Sequence, residues 1–218
     1  MNKFLLLLTL GFSPVFAQDN APAPVTYSKG VQYTEIETPY ATGNDEQVVV
    51  YEFFGYTCPH CSNFQPYMKP WHKKLPKHIK LVRVPVVFSP TWKIYAQAYY
   101  TAETMGFIEK THQAMFDAIH KQRKRFRNIE QIADWYAENF NVDKKAFLAT
   151  ANSFMIDSKL RQSMNMASKM QITSTPSLVI NGKFKPNTKA LGNVPELFKL
   201  ATYLSNQEAV SMGLINKQ

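Results

Sequence analysis

Residues 48–61 of this 218-residue chain, VVVYEFFGYTCPHC, constrain the fold more than any other stretch. Val48–Phe54 is almost entirely apolar and β-prone, which predicts a central strand that is covered on both faces. A helix is expected to begin at Cys58-Pro59, because proline is well tolerated in the first turn of a helix. The stretch therefore predicts a strand-to-helix junction that carries both cysteines of the chain.

The rest of the pattern predicts an α/β fold that is interrupted by helices. Strand signals lie at residues 31–36 and 79–87, and helical periodicity dominates from about residue 91 to residue 170. Strand signal returns just before Asn181-Gly182, a strong hairpin sequence, and residues 195–204 form a final amphipathic helix. We therefore expect a βαβ unit and a ββα unit that are separated by a helical insertion.

The first 17 residues have the pattern of a secretory signal peptide. Lys3 precedes an apolar stretch, and Val15-Phe16-Ala17 supplies small residues at the −3 and −1 positions that signal peptidase accepts. The apolar stretch is too short to span a bilayer, and a buried N-terminal helix is the alternative. Export would place the mature chain where disulfides can persist.

The chain has only two cysteines, and they form one Cys58-Pro59-His60-Cys61 motif. A disulfide that stabilises a fold closes a long loop, whereas this pair closes almost nothing. A zinc site would need three or four ligands, and the other histidines are scattered along the chain. An inert disulfide and a zinc site are therefore the weaker alternatives. We predict a redox-active Cys58–Cys61 disulfide, with no metal and no other cofactor.

The position of the two cysteines predicts different roles for them. Cys58 lies at the helix start, where free backbone N–H groups and the helix dipole favour a thiolate. His60 can add positive charge or a hydrogen-bond donor nearby. Cys58 should therefore be the attacking and attacked sulfur, and Cys61 the buried partner. A stabilised Cys58 thiolate favours the dithiol form, which makes the disulfide a better oxidant.

Glu52 is the one charged residue in the predicted central strand. A glutamate is rarely buried unless it is paired. Beneath the dithiol, its carboxyl group could relay protons for Cys61 or tune the energies of the thiolates. The alternative is a glutamate at an edge of the sheet or paired with a lysine.

The formal net charge of the chain is +9, and its densest basic run is KQRKRFR at residues 121–127. The run could bind an acidic partner or a membrane surface. Alternatively, it is the solvated end of a helix or a loop. Nucleic acid is not an expected partner, because the single Phe126 makes no stacking platform for bases.

Together, these residues resemble the DsbA family of thioredoxin-fold thiol:disulfide oxidoreductases of the bacterial periplasm. The matching stretches are residues 33–39 (YTEIETP), 48–61, 81–92, 104–106 and 175–182 (TPSLVING). The resemblance implies a thioredoxin fold, in which helices flank a central mixed sheet, with an inserted all-helical domain. The expected divisions are a signal peptide at residues 1–17, a thioredoxin-like domain at 18–90 plus 172–218, and the helical insertion at 91–171.

The resemblance also assigns roles around the dithiol. It implies that Cys58 is the nucleophile and Cys61 the resolving cysteine, and that Pro59 and His60 tune the couple. Glu52 matches the buried acid of the family. Members of the family are known for a very low thiol pKa and an oxidising couple, and the same is expected here.

Three further positions follow from the resemblance. Pro176 matches a cis-proline that faces the dithiol, and Thr175 would offer backbone hydrogen bonds to an extended substrate peptide. Thr175 replaces the valine of familiar members and is similar to the Thr-Pro pair of isomerases. Gln65 stands where some members carry a second acid, so the role of that charge is not carried over.

The implied function is the introduction of disulfides into reduced, unfolded exported proteins in the periplasm of a Gram-negative bacterium. A DsbB-type quinone-linked membrane oxidase would restore the disulfide, and the chain would act as a monomer. A disulfide isomerase or reductase is the alternative. Such enzymes usually gain from a dimerisation domain, and residues 18–46 are too few to form one. A non-catalytic holdase or adhesion protein that uses the helical insertion is a further alternative.

Overall fold

The computed structural model describes residues 26–216. The signal peptide predicted at residues 1–17 lies outside the described residues. Between residues 26 and 216, none of the helices combines the length and the apolar composition needed to cross a bilayer.

A five-stranded mixed sheet forms the centre of the fold, as the sequence predicts. Its strands are β1 (Tyr33–Glu35), β2 (Val48–Phe54), β3 (Ile79–Pro85), β4 (Ser177–Ile180) and β5 (Phe184–Pro186). The order across the sheet is β1-β5-β4-β2-β3, with β2 parallel to β3 and antiparallel to β4. All seven residues of β2 are buried, so the prediction of a strand covered on both faces is confirmed.

Helix α1 (Pro59–Lys73) begins where the sequence places it, with Cys58 as the N-cap residue. We expected Pro66 and Pro70 to bend or interrupt this helix, and the predicted interruption is wrong because the helix continues through both. Both prolines are exposed. Water can therefore bind the carbonyl groups that lose their helical hydrogen bonds.

Five helices connect β3 to β4, and we call them the helical cap. They are α2 (Pro90–Thr104), α3 (Ile108–His120), α4 (Ile129–Phe140), α5 (Lys144–Ala151) and α6 (Phe154–Lys169). The capping pair predicted at the start of α4 is present, since the Gln131 N–H donates to Asn128 Oδ1 at 3.0 Å. The apolar core of the cap includes Phe54, Tyr56 and both cysteines. The cap therefore packs against the end of β2, where the chain reaches the redox motif.

The C-terminal part closes the sheet and covers one of its faces. Asn181 and Gly182 both have left-handed backbone conformations, with φ of 50° and 66°, in the predicted hairpin turn between β4 and β5. A Cβ atom on Gly182 would lie 2.1 Å from the Tyr40 carbonyl oxygen, so only glycine fits there. Two helices follow, the short α7 (Thr188–Leu191) and the long α8 (Val194–Ser211). The sequence did not predict α7, and α8 is longer than the predicted helix at 195–204.

Candidate active site

The two cysteines lie at the start of α1 as free thiols, less than one helical turn apart. The Cys61 N–H donates to Cys58 Sγ at 3.4 Å. Cys61 is fully buried, whereas 7% of Cys58 is exposed. The difference agrees with the predicted division into a reachable and a buried sulfur, although both side chains are well covered.

The surroundings of the two thiols move their pKa values in opposite directions. The hydrogen bond from the Cys61 thiol is the largest cause that lowers the pKa of Cys58, to about 5. Burial opposes this change, and the backbone N–H groups of His60 and Cys61 support it. The same thiol contact, together with burial, raises the pKa of Cys61. Cys58 is thus the thiol that ionises first.

The sequence suggested a charge or donor from the ring of His60, but the contribution of His60 to the pKa of Cys58 comes from its backbone. His60 and Pro59 are both exposed in the first turn of α1. The His60 backbone N–H lowers the pKa of Cys58, and His60 also lines a neighbouring groove. The effect of His60 on the thiolate therefore comes from the helix start.

Thr175 contacts Cys58 although it lies 117 residues later in the chain, and Pro176 follows it directly. The Thr175–Pro176 peptide bond is cis. The Cys58 thiol donates to the Thr175 carbonyl oxygen at 3.5 Å. Beside this contact, a groove with a volume of about 650 Å³ runs along His60, Thr175 and Pro176.

Glu52 is completely buried in β2 and has two polar partners. Gln65 Nε2 donates to Glu52 Oε1 at 2.9 Å, and Arg83 Nε lies 3.4 Å from Glu52 Oε2. Gln65 follows Cys61 by four residues on the buried face of α1. One helical turn rises about 5.4 Å, so the carboxyl group is held about one turn below Cys61. Of the two expectations for Glu52, the buried one is confirmed, and the partner is an arginine instead of a lysine.

Burial raises the pKa of Glu52, and Arg83 and then Gln65 oppose this change. Arg83 stands directly opposite Glu52 in the parallel pairing of β2 with β3. Its other end reaches the surface, where Nη1 lies 3.0 Å from Glu109 Oε1. Arg83 was not among the site residues predicted from the sequence. It could have been found there, because β3 contains a single arginine as β2 contains a single glutamate, and the two opposite charges could pair.

Two histidines of α3 hold Tyr56, which precedes Cys58 by two residues. The Tyr56 hydroxyl group and His112 Nδ1 are hydrogen-bonded at 2.9 Å, and both groups are buried. His120 Nε2 donates to the Tyr56 carbonyl oxygen at 2.7 Å. These histidines looked scattered in the sequence, but their spacing of eight residues places them on one face of a helix. The helical cap thereby fixes the turn that leads into the redox motif.

Gly55, in the same turn, allows the Trp92 ring to approach the backbone closely. A Cβ atom on Gly55 would lie 2.1 Å from the Trp92 ring. The turn therefore needs glycine here for space.

Within residues 26–216, no group of three or more histidine, cysteine, aspartate or glutamate side chains could hold a metal ion. The chemistry that the described site supports is thiol–disulfide exchange.

Comparison with known proteins agrees with this chemistry. A family model described as "Thioredoxin" matches residues 35–194. The thiol:disulfide interchange protein DsbA of Pseudomonas aeruginosa is 35% identical over 95% of this chain and 97% of its own. The DsbA of Azotobacter vinelandii is also 35% identical, over 95% of this chain and 98% of its own.

Solved structures show the same similarity in three dimensions. The crystal structure of Pseudomonas aeruginosa DsbA superposes with a TM-score of 0.81 at 36% identity, covering 86% of this chain and 97% of that chain. The oxidoreductase DsbA of Xylella fastidiosa superposes with a TM-score of 0.76 at 28% identity, covering 82% of this chain and 96% of that chain.

Proposed function

The chain belongs to the DsbA family of thioredoxin-fold thiol:disulfide oxidoreductases, and on this premise we propose that its Cys58–Cys61 pair introduces disulfides into exported proteins. The protein is a disulfide oxidoreductase. The observation that carries the proposed direction of the reaction is the lowered pKa of Cys58, about 5, at the start of α1.

The low pKa of Cys58 favours the dithiol form over the disulfide. An ordinary cysteine has a pKa of about 8.5. At pH 7, a thiol with a pKa of about 5 therefore gains up to roughly 2.7 kcal/mol as its thiolate. For a two-electron couple, this free energy corresponds to roughly 60 mV in the oxidising direction. The disulfide form is accordingly a good acceptor of two electrons from substrate thiols.

The proposed cycle starts from the Cys58–Cys61 disulfide. A substrate thiolate attacks Cys58 Sγ, a new S–S bond forms, and Cys61 leaves as a thiolate that takes up a proton. A second substrate thiolate then attacks the substrate sulfur of this mixed disulfide and releases the Cys58 thiolate. Two electrons have passed from the substrate to the protein, and the substrate carries a disulfide.

Thr175 and Pro176 bind the substrate during the mixed-disulfide stage. The 3.5 Å contact between Cys58 Sγ and the Thr175 carbonyl oxygen supports this role, as does the groove beside it. Pro59 and His60 form the exposed first turn of α1 and tune the couple through the helix start.

Glu52 supplies or accepts the proton of Cys61 as that sulfur leaves or attacks. Its raised pKa and its position one helical turn below Cys61, held by Gln65, support this role. Arg83 keeps the pKa of Glu52 from rising further. It is a positioning residue, because it acts through Glu52.

The proposal also includes the substrates, the cellular compartment and the enzyme that restores the disulfide. The substrates are reduced, unfolded exported proteins, and the cycle takes place in the periplasm of a Gram-negative bacterium. A DsbB-type membrane oxidase takes the two electrons from the dithiol and passes them to quinone, and the protein works as a monomer. The relatives in Gram-negative bacteria support this setting.

Trapping of mixed disulfides tests the mechanism. A Cys61→Ala variant lacks the sulfur that displaces the substrate, so its Cys58 should retain exported proteins as disulfide adducts in cells. A Cys58→Ala variant is the matched control and should trap none. Adducts that persist without Cys58, or their complete absence from the Cys61→Ala variant, would contradict the mechanism.

The redox potential separates the proposed oxidase from a reductase. Equilibration of the Cys58–Cys61 pair with glutathione buffers should give a value well above about −200 mV. A potential near that of a reducing thioredoxin, about −270 mV, would refute the oxidase.

A further inference from the structure

A basic run lies beside the redox motif, although 60 residues separate them in the sequence. The cationic run, which we define as Lys121–Arg127, begins directly after His120. His120 Nε2 donates to the Tyr56 carbonyl oxygen at 2.7 Å. Two residues of chain span at most about 7 Å, and the His120 side chain, its hydrogen bond and the step to Lys121 bring the total to about 20 Å, so the run begins within about 20 Å of Cys58.

The other end of the run is anchored to the same region. Phe126 is buried, and its N–H donates to the Tyr95 hydroxyl oxygen at 3.3 Å. Tyr95 in turn lines a small cavity together with Gly55 and Thr57, the residues that lead into Cys58. The cationic run is therefore anchored at both ends to residues that pack against the turn leading into Cys58.

The charges of the run face solvent and are largely free of acidic partners. All five of its lysines and arginines are exposed. Lys121 pairs with Asp117 at 2.9 Å. Among the described residues, the other four cations form no ion pair within 4.0 Å.

Folding alone does not account for these residue types. A cation such as Lys121 at the C-terminal end of α3 is favoured by the helix dipole. Arg123, however, has a left-handed backbone conformation with φ of 59°, which suits glycine or asparagine better. Arg125 and Arg127 directly precede the N-terminus of α4, where the dipole disfavours positive charge. Three arginines thus stand where the fold would favour other residues.

The groove beside Cys58 is cationic as well. Lys185 and Lys189 line the groove that runs past Thr175 and Pro176. No aspartate or glutamate is among the residues that line this groove. A substrate segment in the groove therefore also meets positive charge.

Resting on the proposed function, we propose that the cationic run is a docking surface for acidic polypeptide segments that flank the substrate cysteine. Six residues of extended chain span about 20 Å, enough to reach from Cys58 to the start of the run. The Debye length at physiological ionic strength is about 8 Å, so these charges act on substrate segments that reach the run and little on residues next to Cys58 itself.

The position of the run favours a polypeptide over a membrane as its partner. A substrate is covalently joined to Cys58 during the cycle, so its neighbouring residues must lie near the run. The expected result is faster association with acidic substrates, because complementary charge acts mainly on the association rate.

Peptide oxidation rates test the proposal. Three reduced peptides share two cysteines and differ only in their flanking residues, which are glutamate, glutamine or lysine. The oxidised mature protein should oxidise the glutamate peptide about three- to tenfold faster than the glutamine peptide at low salt. The preference should collapse at high salt, and the lysine peptide should be the slowest.

Matched variants assign the preference to the run. The triple variant Arg123→Gln/Arg125→Gln/Arg127→Gln should oxidise the glutamate peptide at nearly the rate of the glutamine peptide. The control Lys73→Gln/Lys74→Gln/Lys77→Gln removes the same charge from exposed residues at the far end of α1. That end lies about 22 Å from Cys58, so the control should keep the preference. An unchanged rate with the glutamine peptide shows that each variant is folded.

Four results would overturn the inference. The arginine variant could keep the preference, or both variants could lose it equally, which would assign the effect to net charge. The arginine variant could also lose binding to vesicles that contain phosphatidylglycerol while its peptide rates stay unchanged, which would make the run a lipid surface. A protein that oxidises none of the peptides would refute the proposed function itself, and equal rates for all three peptides would refute only this inference.

Discussion

The thiol of Cys61 should be the main support of the Cys58 thiolate, and a Cys61→Ala variant tests this directly. Its hydrogen bond is the largest cause of the low pKa of Cys58. A hydrogen bond to a charged group contributes about 1.5 to 3 kcal/mol. At about 1.4 kcal/mol for each pH unit, its loss should raise the pKa from about 5 to between about 6 and 7.

The pKa of Cys58 should not return to an ordinary value in this variant. The backbone N–H groups of His60 and residue 61 remain at the helix start, and they also lower the pKa of Cys58. A Cys61→Ser variant is the matched control, because its hydroxyl group can donate in place of the thiol. Its Cys58 pKa should stay closer to the value of the reduced wild-type protein than that of the alanine variant.

The ultraviolet absorbance of the thiolate, followed across pH, measures these values, and the pH dependence of alkylation by iodoacetamide provides a second measurement. In the wild-type protein only Cys58 titrates in the accessible range, because the pKa of Cys61 is raised. Identical values for both variants and the wild type would refute the reasoning and assign the thiolate to the helix start alone. A rise of the Cys58 pKa to about 8.5 in the alanine variant would also refute the reasoning, because the backbone N–H groups would then contribute nothing to the low pKa.

Three further predictions concern stability. Because folding lowers the pKa of Cys58 from about 8.5 to about 5, the thiolate stabilises the reduced protein fully only above about pH 8.5, and this contribution is lost progressively as the pH falls to about 5. Urea unfolding of the reduced protein, measured against the oxidised protein, should therefore lose about 2 kcal/mol between neutral and acidic pH, and a constant difference would contradict the assignment. Arg83→Met leaves the buried Glu52 without its counter-charge and should lower the free energy of unfolding by about 3 kcal/mol. Adding Glu52→Leu should restore part of this stability, whereas strictly additive losses would show that the two residues are not coupled. Gly55→Ala should destabilise the protein by about 1 to 3 kcal/mol and change the fluorescence of Trp92, because the Trp92 ring must move. An unchanged melting temperature and unchanged fluorescence would show that the turn can accommodate a Cβ atom at this position.

Local sequence patterns predicted most elements of this fold. The apolar run Val48–Phe54 could only be a strand covered on both faces, and the proline after Cys58 marked the start of α1. Asn181-Gly182 specified the hairpin through its backbone conformation. These features depend on a few adjacent residues, so no distant partner was needed to find them. The prolines within α1 are the exception, because their tolerance depends on which face of the helix meets water.

The sequence by itself also predicted which atoms react, since a Cys-X-X-Cys pair at a helix start has few other uses. Only the tertiary structure decided what surrounds them. The pairing of Glu52 with Arg83 depends on the register between two parallel strands, and the hydrogen bond from Gln65 depends on how α1 lies on the sheet. The contact of Cys58 with Thr175 joins residues 117 positions apart. Local propensity carries no information about such contacts, because packing of the whole chain determines which distant groups share one buried space.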